Sequence, residues 1–436
     1  MYREEQLKAL LQGHSILIAG YGREGQSAER LIRRLVPEVQ YTIAVQVENG
    51  KWKGLTPQPP LPLERGSEEW HEDWPFDMVI KSPGIPNFQF PISNFQLTSL
   101  TDLFLQVYGD HTIGVTGTKG KSTTASLIHH LLPGSILAGN IGIPLFDILD
   151  TLDEHTLVVA ELSCHQLENI HRAPHISVLL NLFEEHLDHY ENYMGYKMAK
   201  MQIALRQQSG DHFFYCADNE DLMELVGGSR QIMGCEWHPY SIQEASKDEL
   251  EVLKALPLEG DHNHSNALVA LRVAQLVSGQ PLSTFRFPLS SFQGLRHRME
   301  RVGEQAGITW YDDSISTIPA ATIAAVTALG HVDTLILGGF DRGIDYQPLV
   351  DFLAAHPVQN LVFVGAAGRR IYQEFSIFNF QISILIEDDY TKIVPWCAQH
   401  TPVGGVVLLS PAAASYDAFK NFEVRGDFFR EQIQKL

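Results

Sequence analysis

The stretch Thr112-Ile-Gly-Val-Thr-Gly-Thr-Lys-Gly-Lys-Ser-Thr-Thr124 decides how the rest of the chain is read. Ile113 and Val115 belong to a short apolar run that reads as a strand, and Gly117-Thr118-Lys119-Gly120-Lys121-Ser122-Thr123 follows it. Ala125, Ile128, Leu131 and Leu132 then recur at the spacing of one helix face. Strand, glycine turn and helix in that order form the setting of a phosphate loop. Glycines let backbone N–H groups curl around phosphate oxygens, and the helix N-terminus adds donors and a positive dipole end. Lys121 is expected to reach the terminal phosphates of a nucleotide and the Ser122 hydroxyl to ligate Mg²⁺. The usual G-x-x-x-x-G-K-[ST] spacing would put its first glycine at 115, which is Val; here the loop glycine is Gly117. A glycine turn with a lysine can also be a plain strand–helix connection, but Gly-Lys-Ser-Thr behind an apolar strand favours nucleotide binding.

Outward from this loop, Thr156–Ala160 reads as a buried strand ending at Glu161, a carboxylate well placed to bind Mg²⁺ directly or through water. Ile176–Asn181 is the next strand and runs into Glu184-Glu-His186-Leu-Asp188-His-Tyr190. Such a cluster is often a solvated helix start; its place after a strand of the same sheet points to a second metal site. Neutral histidine with carboxylates suits Mg²⁺ or Mn²⁺ better than zinc, since no thiolate joins them in the sequence. The helical segment through Ile203 carries Lys197 and Lys200, which on their own read as surface charges. Gly139-Asn140-Ile-Gly-Ile-Pro144 is a glycine turn able to accept an elongated ligand, and residues 241–258 read as a short helix and loop. Asn263 and Asn266 open an alanine- and valine-rich helix on one face, suited to a base edge or to capping.

Ser15–Ala19 followed by Gly20-Tyr-Gly22-Arg-Glu-Gly25 and a helix through Leu35 is G-x-G-x-x-G in the setting of a dinucleotide fold. The next strand, Tyr41–Val47, does not end in the acidic residue that would hold a ribose; Glu48 lies one residue beyond. NAD is therefore weakly supported. Another nucleotide's phosphates, or close packing of glycines, fit as well. Residues 51–75 read as loop, and Asp77–Lys81 as a strand capped by the turn Ser82–Pro86. Phe292–Arg298 breaks the pattern. Beyond it, strands at 308–311, 334–337, 361–364, 382–386 and 406–409 alternate with helices and imply a parallel sheet. Its functional loops should follow strand ends: Asp312–Thr317, Gly338–Gly343 and Ser410–Asp417.

At 436 residues the chain exceeds one ordinary domain, and 44% hydrophobic with 19% charged residues describes a soluble, well-cored protein. A net charge of −20 argues against nucleic-acid binding but leaves room for one basic pocket. Cys164, Cys216, Cys235 and Cys397 show no C-x-x-C pairing and read as buried thiols in a reducing compartment. The charged N-terminus lacks a signal core, and no long apolar run suggests a membrane span, so cytoplasm is the expectation.

Gly117–Thr123, Glu161-Leu-Ser-x-x-Gln-Leu-Glu168, Glu185-His-Leu-Asp188, Tyr196-x-x-Ala-Lys200, His262-Asn263-x-x-Asn266, His297-Arg298, Ser410-Pro-Ala-x-Ala-Ser415 and Phe419-Lys-Asn-Phe-Glu-x-Arg-Gly426, in this order, resemble the Mur ligase family over nearly the whole chain. The resemblance implies three α/β domains: 1–97, Rossmann-like and binding a UDP-substrate; 98–295, a central P-loop ATPase with a mostly parallel sheet; and 296–436, Rossmann-like, closing over ATP and binding glutamate. It implies ATP-dependent addition of glutamate to UDP-N-acetylmuramoyl-L-alanine through an acyl phosphate, in peptidoglycan precursor synthesis, with ATP, two Mg²⁺ ions and a monomeric enzyme. By resemblance, Gly117, Thr118, Lys119, Gly120, Lys121, Ser122, Thr123, Asn263, Asn266, Arg298 and Asp313 contact ATP. Glu161 and His186 hold metal with Ser122. Lys200 matches the lysine that the family carbamylates, which then supports metal as an anion. Gly20, Gly22, Gly25, Ser82 and Asn140 contact the UDP-substrate, and Thr317, Arg342, Ser415 and Phe422 the glutamate. Two departures stand out: Ile315 replaces the family's glutamate-pairing lysine, and Arg342 a second one. Arginine still pairs a carboxylate bidentately. The resemblance gives D-glutamate by default and L-glutamate in a variant branch. A folylpolyglutamate synthase is disfavoured by the Ser410–Ser415 and Phe419–Gly426 stretches and by the first domain. A scaffold without catalysis is disfavoured by Lys121, Ser122, Glu161, His186 and Lys200.

Overall fold

A computed structural model describes residues 2–47, 51–54, 76–85, 95–141, 143–186, 189–229, 234–258, 260–375 and 382–436. Glu48, Pro86, Gly142, Leu187, Asp188 and most of the segment read as loop at 51–75 lie outside them. The chain is α/β and builds three sheets. The first orders its strands β3-β2-β1-β4-β5, with β1 Ile16–Ala19, β2 Tyr41–Val47, β3 Lys51–Gly54, β4 Met78–Lys81 and β5 Gln96–Thr98. All pairs are parallel except β2 with β3, so the loop expected from residue 51 begins as an antiparallel edge strand.

The second sheet is wholly parallel, in the order β11-β10-β9-β6-β8-β7. Its strands are β6 Thr112–Thr116, β7 Ile136–Gly139, β8 Val158–Glu161, β9 Ile176–Leu179, β10 His212–Cys216 and β11 Glu236–Tyr240. β6 lies at the centre, buried along its length, between β8 and β9. β11 contains Pro239, which cannot donate to a ladder; an edge strand tolerates that.

The third sheet runs β12-β13-β17-β14-β15-β16, from β12 Glu300–Gln305, β13 Ile308–Asp312, β14 Thr334–Gly338, β15 Asn360–Val364, β16 Ser383–Ile386 and β17 Val406–Leu409. The five strands expected here pair in parallel, and β12, which was not among them, adds to β13 as an antiparallel edge strand. It reaches β13 through Ala306 and Gly307, both at positive φ (56° and 72°), the conformation of a two-residue hairpin turn.

Residues Met1–Phe292 form one compact unit with two of the sheets, and Gln293–Leu436 a second with the third sheet. We keep 1–97, 98–295 and 296–436 as proposed domain limits. No helix among the described residues is long and apolar enough to cross a membrane. All four cysteines are free and buried.

Candidate active site

The central sheet sets the site. β6, β8 and β9 are neighbours, so the turns after them meet at one edge of the sheet, where ligands of open α/β sheets sit. After β6, Gly117 (φ 152°) and Gly120 (φ 84°) carry the chain into the Lys121–Leu131 helix. A Cβ on Gly117 would come 2.9 Å from Leu180 Cβ, and one on Gly120 2.7 Å from Asn266 Oδ1. The second distance puts the amide of Asn266, in the Asp261–Ser278 helix, directly against the loop. Asn263 lies in the first turn of that helix. The turn after β9 is laced to the loop. Thr118 N–H donates to the Asn181 carbonyl (3.0 Å), Lys119 N–H to Asn181 Oδ1 (2.8 Å), and Lys119 pairs with Glu185. Thr118 Oγ1 lies 2.9 Å from the Tyr196 hydroxyl. Ser122 is buried and Thr123 half-buried in the first turn of the helix.

Two lysines converge on this loop from different helices. Lys121 Nζ donates to the carbonyls of Gly117 and Thr118, 2.9 Å each. Lys200 Nζ, from the Tyr193–Leu205 helix, donates to the same Gly117 carbonyl at 2.8 Å. Lys200 is only 1% exposed, and Lys197 is buried and paired with Asp221, so neither is the surface charge that composition alone suggested. The signal was present: Tyr196, Lys200 and Ile203 share a helical face with Ala199, and that face is the buried one. Burial, and then the neighbouring Lys121 charge, bring the Lys200 ammonium down to about 7; burial lowers Lys121 as well.

Glu161 ends β8 and is 2% exposed. Its Oε1 accepts from Asn140 Nδ2 at 2.7 Å, while Oε2 is buried with no hydrogen-bond partner among the described residues. A buried carboxylate oxygen without a donor is costly unless a cation answers it, so this residue fits a metal ligand. Asn140, expected at the UDP-substrate, thus also touches the metal-ligand candidate. With Arg23, Glu24 and Gln166 it lines a cleft of about 200 Å³. There Gln166 Nε2 donates to Glu24 Oε1 at 3.1 Å, and burial pushes the Glu24 carboxyl up. In the first sheet, Gly20 (φ 92°) lets Ser82 approach: a Cβ would lie 2.7 Å from Ser82 Oγ, and one on Gly25 2.0 Å from the Gly20 carbonyl. Gly22 caps the Arg23–Leu35 helix and has open space around it.

His186 adopts φ 59°, the left-handed region, unusual for a non-glycine residue. Its ring lies 5.1 Å from that of His165 and 5.8 Å from that of Tyr196. Cys164 joins this group: ligand atoms of Cys164, His165 and His186 all lie within 4.8 Å of one another. The expectation that no thiolate joins the 184–190 cluster is therefore corrected at His186. The Cys164–Leu167 helix brings the thiol in from β8, about twenty residues upstream of His186. Nearby, Glu168 pairs with Lys81 (2.9 Å) and His189 (2.7 Å). Burial would raise that carboxyl, but the hydrogen bond from His165 and the Lys81 charge hold it down to about 2.

In the second unit, the turns after β13, β14 and β17 gather. Asp313 is buried; its Oδ2 accepts from Ser410 Oγ (2.7 Å) and its Oδ1 from Met299 N–H (3.1 Å), and burial raises its carboxyl. Arg298 is exposed. Arg342, also exposed, donates from Nη2 to the Thr317 carbonyl at 2.8 Å, and Ile315 is half-buried. Ser415 is buried; Phe422 opens the Phe422–Gln434 helix and its carbonyl accepts from Ser314 Oγ at 2.8 Å. Two residues of the Phe419–Gly426 stretch, unassigned from sequence, organise these turns. Buried Arg425 donates to Ser314 Oγ (2.9 Å) and to the carbonyls of Ser314 (2.8 Å), Ala413 (3.1 Å) and Ala414 (3.3 Å). Gly426 admits the buried His297–Asp312 pair (2.7 Å), since a Cβ there would lie 2.1 Å from His297 Nδ1.

The Mur ligase middle domain matches residues 115–274. The UDP-N-acetylmuramoyl-L-alanine–L-glutamate ligase of Salinispora tropica is 33% identical, covering 97% of this chain and 98% of its own length. The UDP-N-acetylmuramoylalanine–D-glutamate ligase of Ligilactobacillus salivarius is 30% identical, covering 98% and 97%. MurF from Thermotoga maritima, solved in complex with ADP, shares the fold, with a TM-score of 0.54 at 16% identity over 98% of this chain and 97% of that chain. The chain belongs to the Mur ligase family. These two full-length relatives are both muramoylalanine–glutamate ligases, and they differ in the glutamate enantiomer that they are named for.

Proposed function

We propose that this chain is an ATP-dependent ligase that joins glutamate to UDP-N-acetylmuramoyl-L-alanine in peptidoglycan precursor synthesis. The observation that carries the reading is the meeting, at the ends of β6, β8 and β9, of the phosphate loop, the half-satisfied Glu161 carboxylate and buried Lys200. Full-length similarity to glutamate ligases supports the choice of substrates.

In this reading the substrate carboxylate attacks the γ-phosphorus of ATP, releasing ADP and forming an acyl phosphate. The glutamate amine then attacks the acyl carbon, loses a proton and expels phosphate. Lys121 leaves the Gly117 and Thr118 carbonyls to meet the phosphoryl oxygens, while loop N–H groups hold them in place. Asn263 and Asn266 flank the nucleotide. Ser122, Glu161 and His186 would hold Mg²⁺, which when bound supplies positive charge against the phosphoryl oxygens. Lys200, brought down to about 7, is largely neutral in mildly alkaline solution. Its free amine can attack CO₂ and shed a proton, giving an anionic carbamate in place of a cation. Gly20, Gly22, Gly25, Ser82 and Asn140 would receive the UDP-substrate near the cleft lined by Arg23 and Gln166. Thr317, Arg342, Ser415 and Phe422 would receive glutamate.

D-glutamate is the first reading, as the family default. L-glutamate is the second, favoured by Ile315 in place of a lysine and by the likeness to a ligase named for L-glutamate. One assay tests both: phosphate release from ATP and UDP-N-acetylmuramoyl-L-alanine with each enantiomer in parallel. Release that requires the UDP-substrate and one enantiomer is expected; no release with either would overturn the reading.

A further inference from the structure

The group around His165 is chemically unlike the oxygen-rich surroundings that a magnesium ion uses. Cys164, His165 and His186 offer one sulfur and two ring nitrogens, all within 4.8 Å of one another. Each is held from outside the group. Cys164 begins a helix closed by a capping box, in which Ser163 Oγ accepts from Gln166 N–H and the Gln166 side chain accepts from Ser163 N–H. His165 Nδ1 lies 3.5 Å from Glu168 Oε1 and 3.4 Å from the Tyr190 hydroxyl, while Glu168 is itself anchored by buried Lys81 at 2.9 Å. A carboxylate behind an imidazole is the outer-shell arrangement that orients histidine ligands. His186 is fixed by its left-handed backbone and by its carbonyl, which accepts from the N–H groups of His189 and Tyr190, both at 3.0 Å. Cys164 is 2% exposed, whereas His186 faces solvent, so an ion has an approach from the histidine side.

We propose that Cys164, His165 and His186 form a site for a thiophilic divalent cation of the zinc class. Thiolate and imidazole together select zinc or cobalt over magnesium, which prefers six oxygen ligands. Three protein ligands leave a fourth tetrahedral position for water. Binding makes a sulfur–metal bond, breaks the Cys164 S–H bond and releases that proton to solvent; no electrons are transferred. The alternative set, His165, Glu168 and His189, would take Glu168 out of its buried pair with Lys81, and is disfavoured for that reason. On the proposed ligase reading, an ion in this site takes His186 away from magnesium, so zinc inhibits turnover.

The test is cobalt titration of the reduced, metal-free full-length protein. We expect thiolate-to-cobalt charge-transfer absorption in the near ultraviolet together with intense visible bands of a tetrahedral ion, both removed by zinc. Cys164→Ser should lose the charge-transfer band and bind at least about ten-fold more weakly. His165→Ala, checked for an unchanged melting temperature, should weaken binding similarly. Cobalt binding without the charge-transfer band, or a band that survives in Cys164→Ser, would overturn the site. Turnover is read separately. With magnesium in excess, zinc should inhibit the wild type and inhibit Cys164→Ser at least about ten-fold less potently; equal potency would overturn the claimed competition. An inactive wild type that still shows the cobalt bands would count against the ligase reading and not against the site.

Discussion

The loops at the edge of the central sheet and those at the edge of the third sheet look alike in outline and differ in how their charges are settled. At the central sheet two lysines share one carbonyl, Gly117, and a carboxylate oxygen of Glu161 is buried without a partner among the described residues. At the third sheet Arg425 distributes its donors over four oxygens, Asp313 accepts at both of its own, and His297 is paired with Asp312. The first arrangement has electrostatic work left over for a ligand. The second is closed on itself and holds an exposed cation, Arg342, in a fixed place. The unmet Glu161 oxygen beside two lysines thus marks the central sheet's edge as the place with charge left for a ligand.

Removing the unsettled charge should abolish the difference. Lys121→Ala should lower phosphate release by at least about 10²–10³ and leave the melting temperature near that of the wild type; near-normal turnover would take the loop out of the mechanism. On the settled side, Arg425→Ala should destabilise the protein by about 3 kcal/mol, because several buried carbonyls lose their donors. Denaturant unfolding would show it, and a loss well below about 1 kcal/mol would mean that the clamp is not needed. Gly426→Ala forces the His297–Asp312 pair apart and should cost about 1–3 kcal/mol by the same measurement. A further test is the pH dependence of Lys200. Its folded value of about 7 lies below the 10.5 of the free side chain, so between these the unfolded chain binds more protons. Stability should therefore rise with pH from about 7 toward 10.5 in CO₂-free buffer, and Lys200→Met should lack that share of the rise.

Much of the first region was legible because its chemistry is local in sequence. The glycines, Lys121 and Ser122 sit in one stretch, and Glu161 marks the end of an apolar strand. What was not legible depends on elements that meet only in the fold. The thiol of Cys164 reaches His186 because β8 and β9 flank β6 on opposite sides and the turns after them converge. Lys200 looked like a surface charge because lysine composition says nothing of which helical face is buried. Arg425 stood in a stretch already singled out, yet its partners lie ten and more residues away in two other loops. β12 was missed because its polar alternation resembles an exposed loop, and only the Ala306–Gly307 turn ties it to the sheet. β3 was missed for a related reason: four residues inside a tract rich in proline and tryptophan give too short a period to read.

In the proposed reaction a carboxylate is activated by phosphorylation at the edge of the central sheet. UDP-N-acetylmuramoyl-L-alanine carrying ¹⁸O in its terminal carboxylate, incubated with ATP, Mg²⁺ and the glutamate enantiomer that supports turnover, tests it directly by mass analysis of the phosphate released. One ¹⁸O atom transferred to each phosphate is the expected result. Phosphate released at the normal rate without ¹⁸O would contradict it.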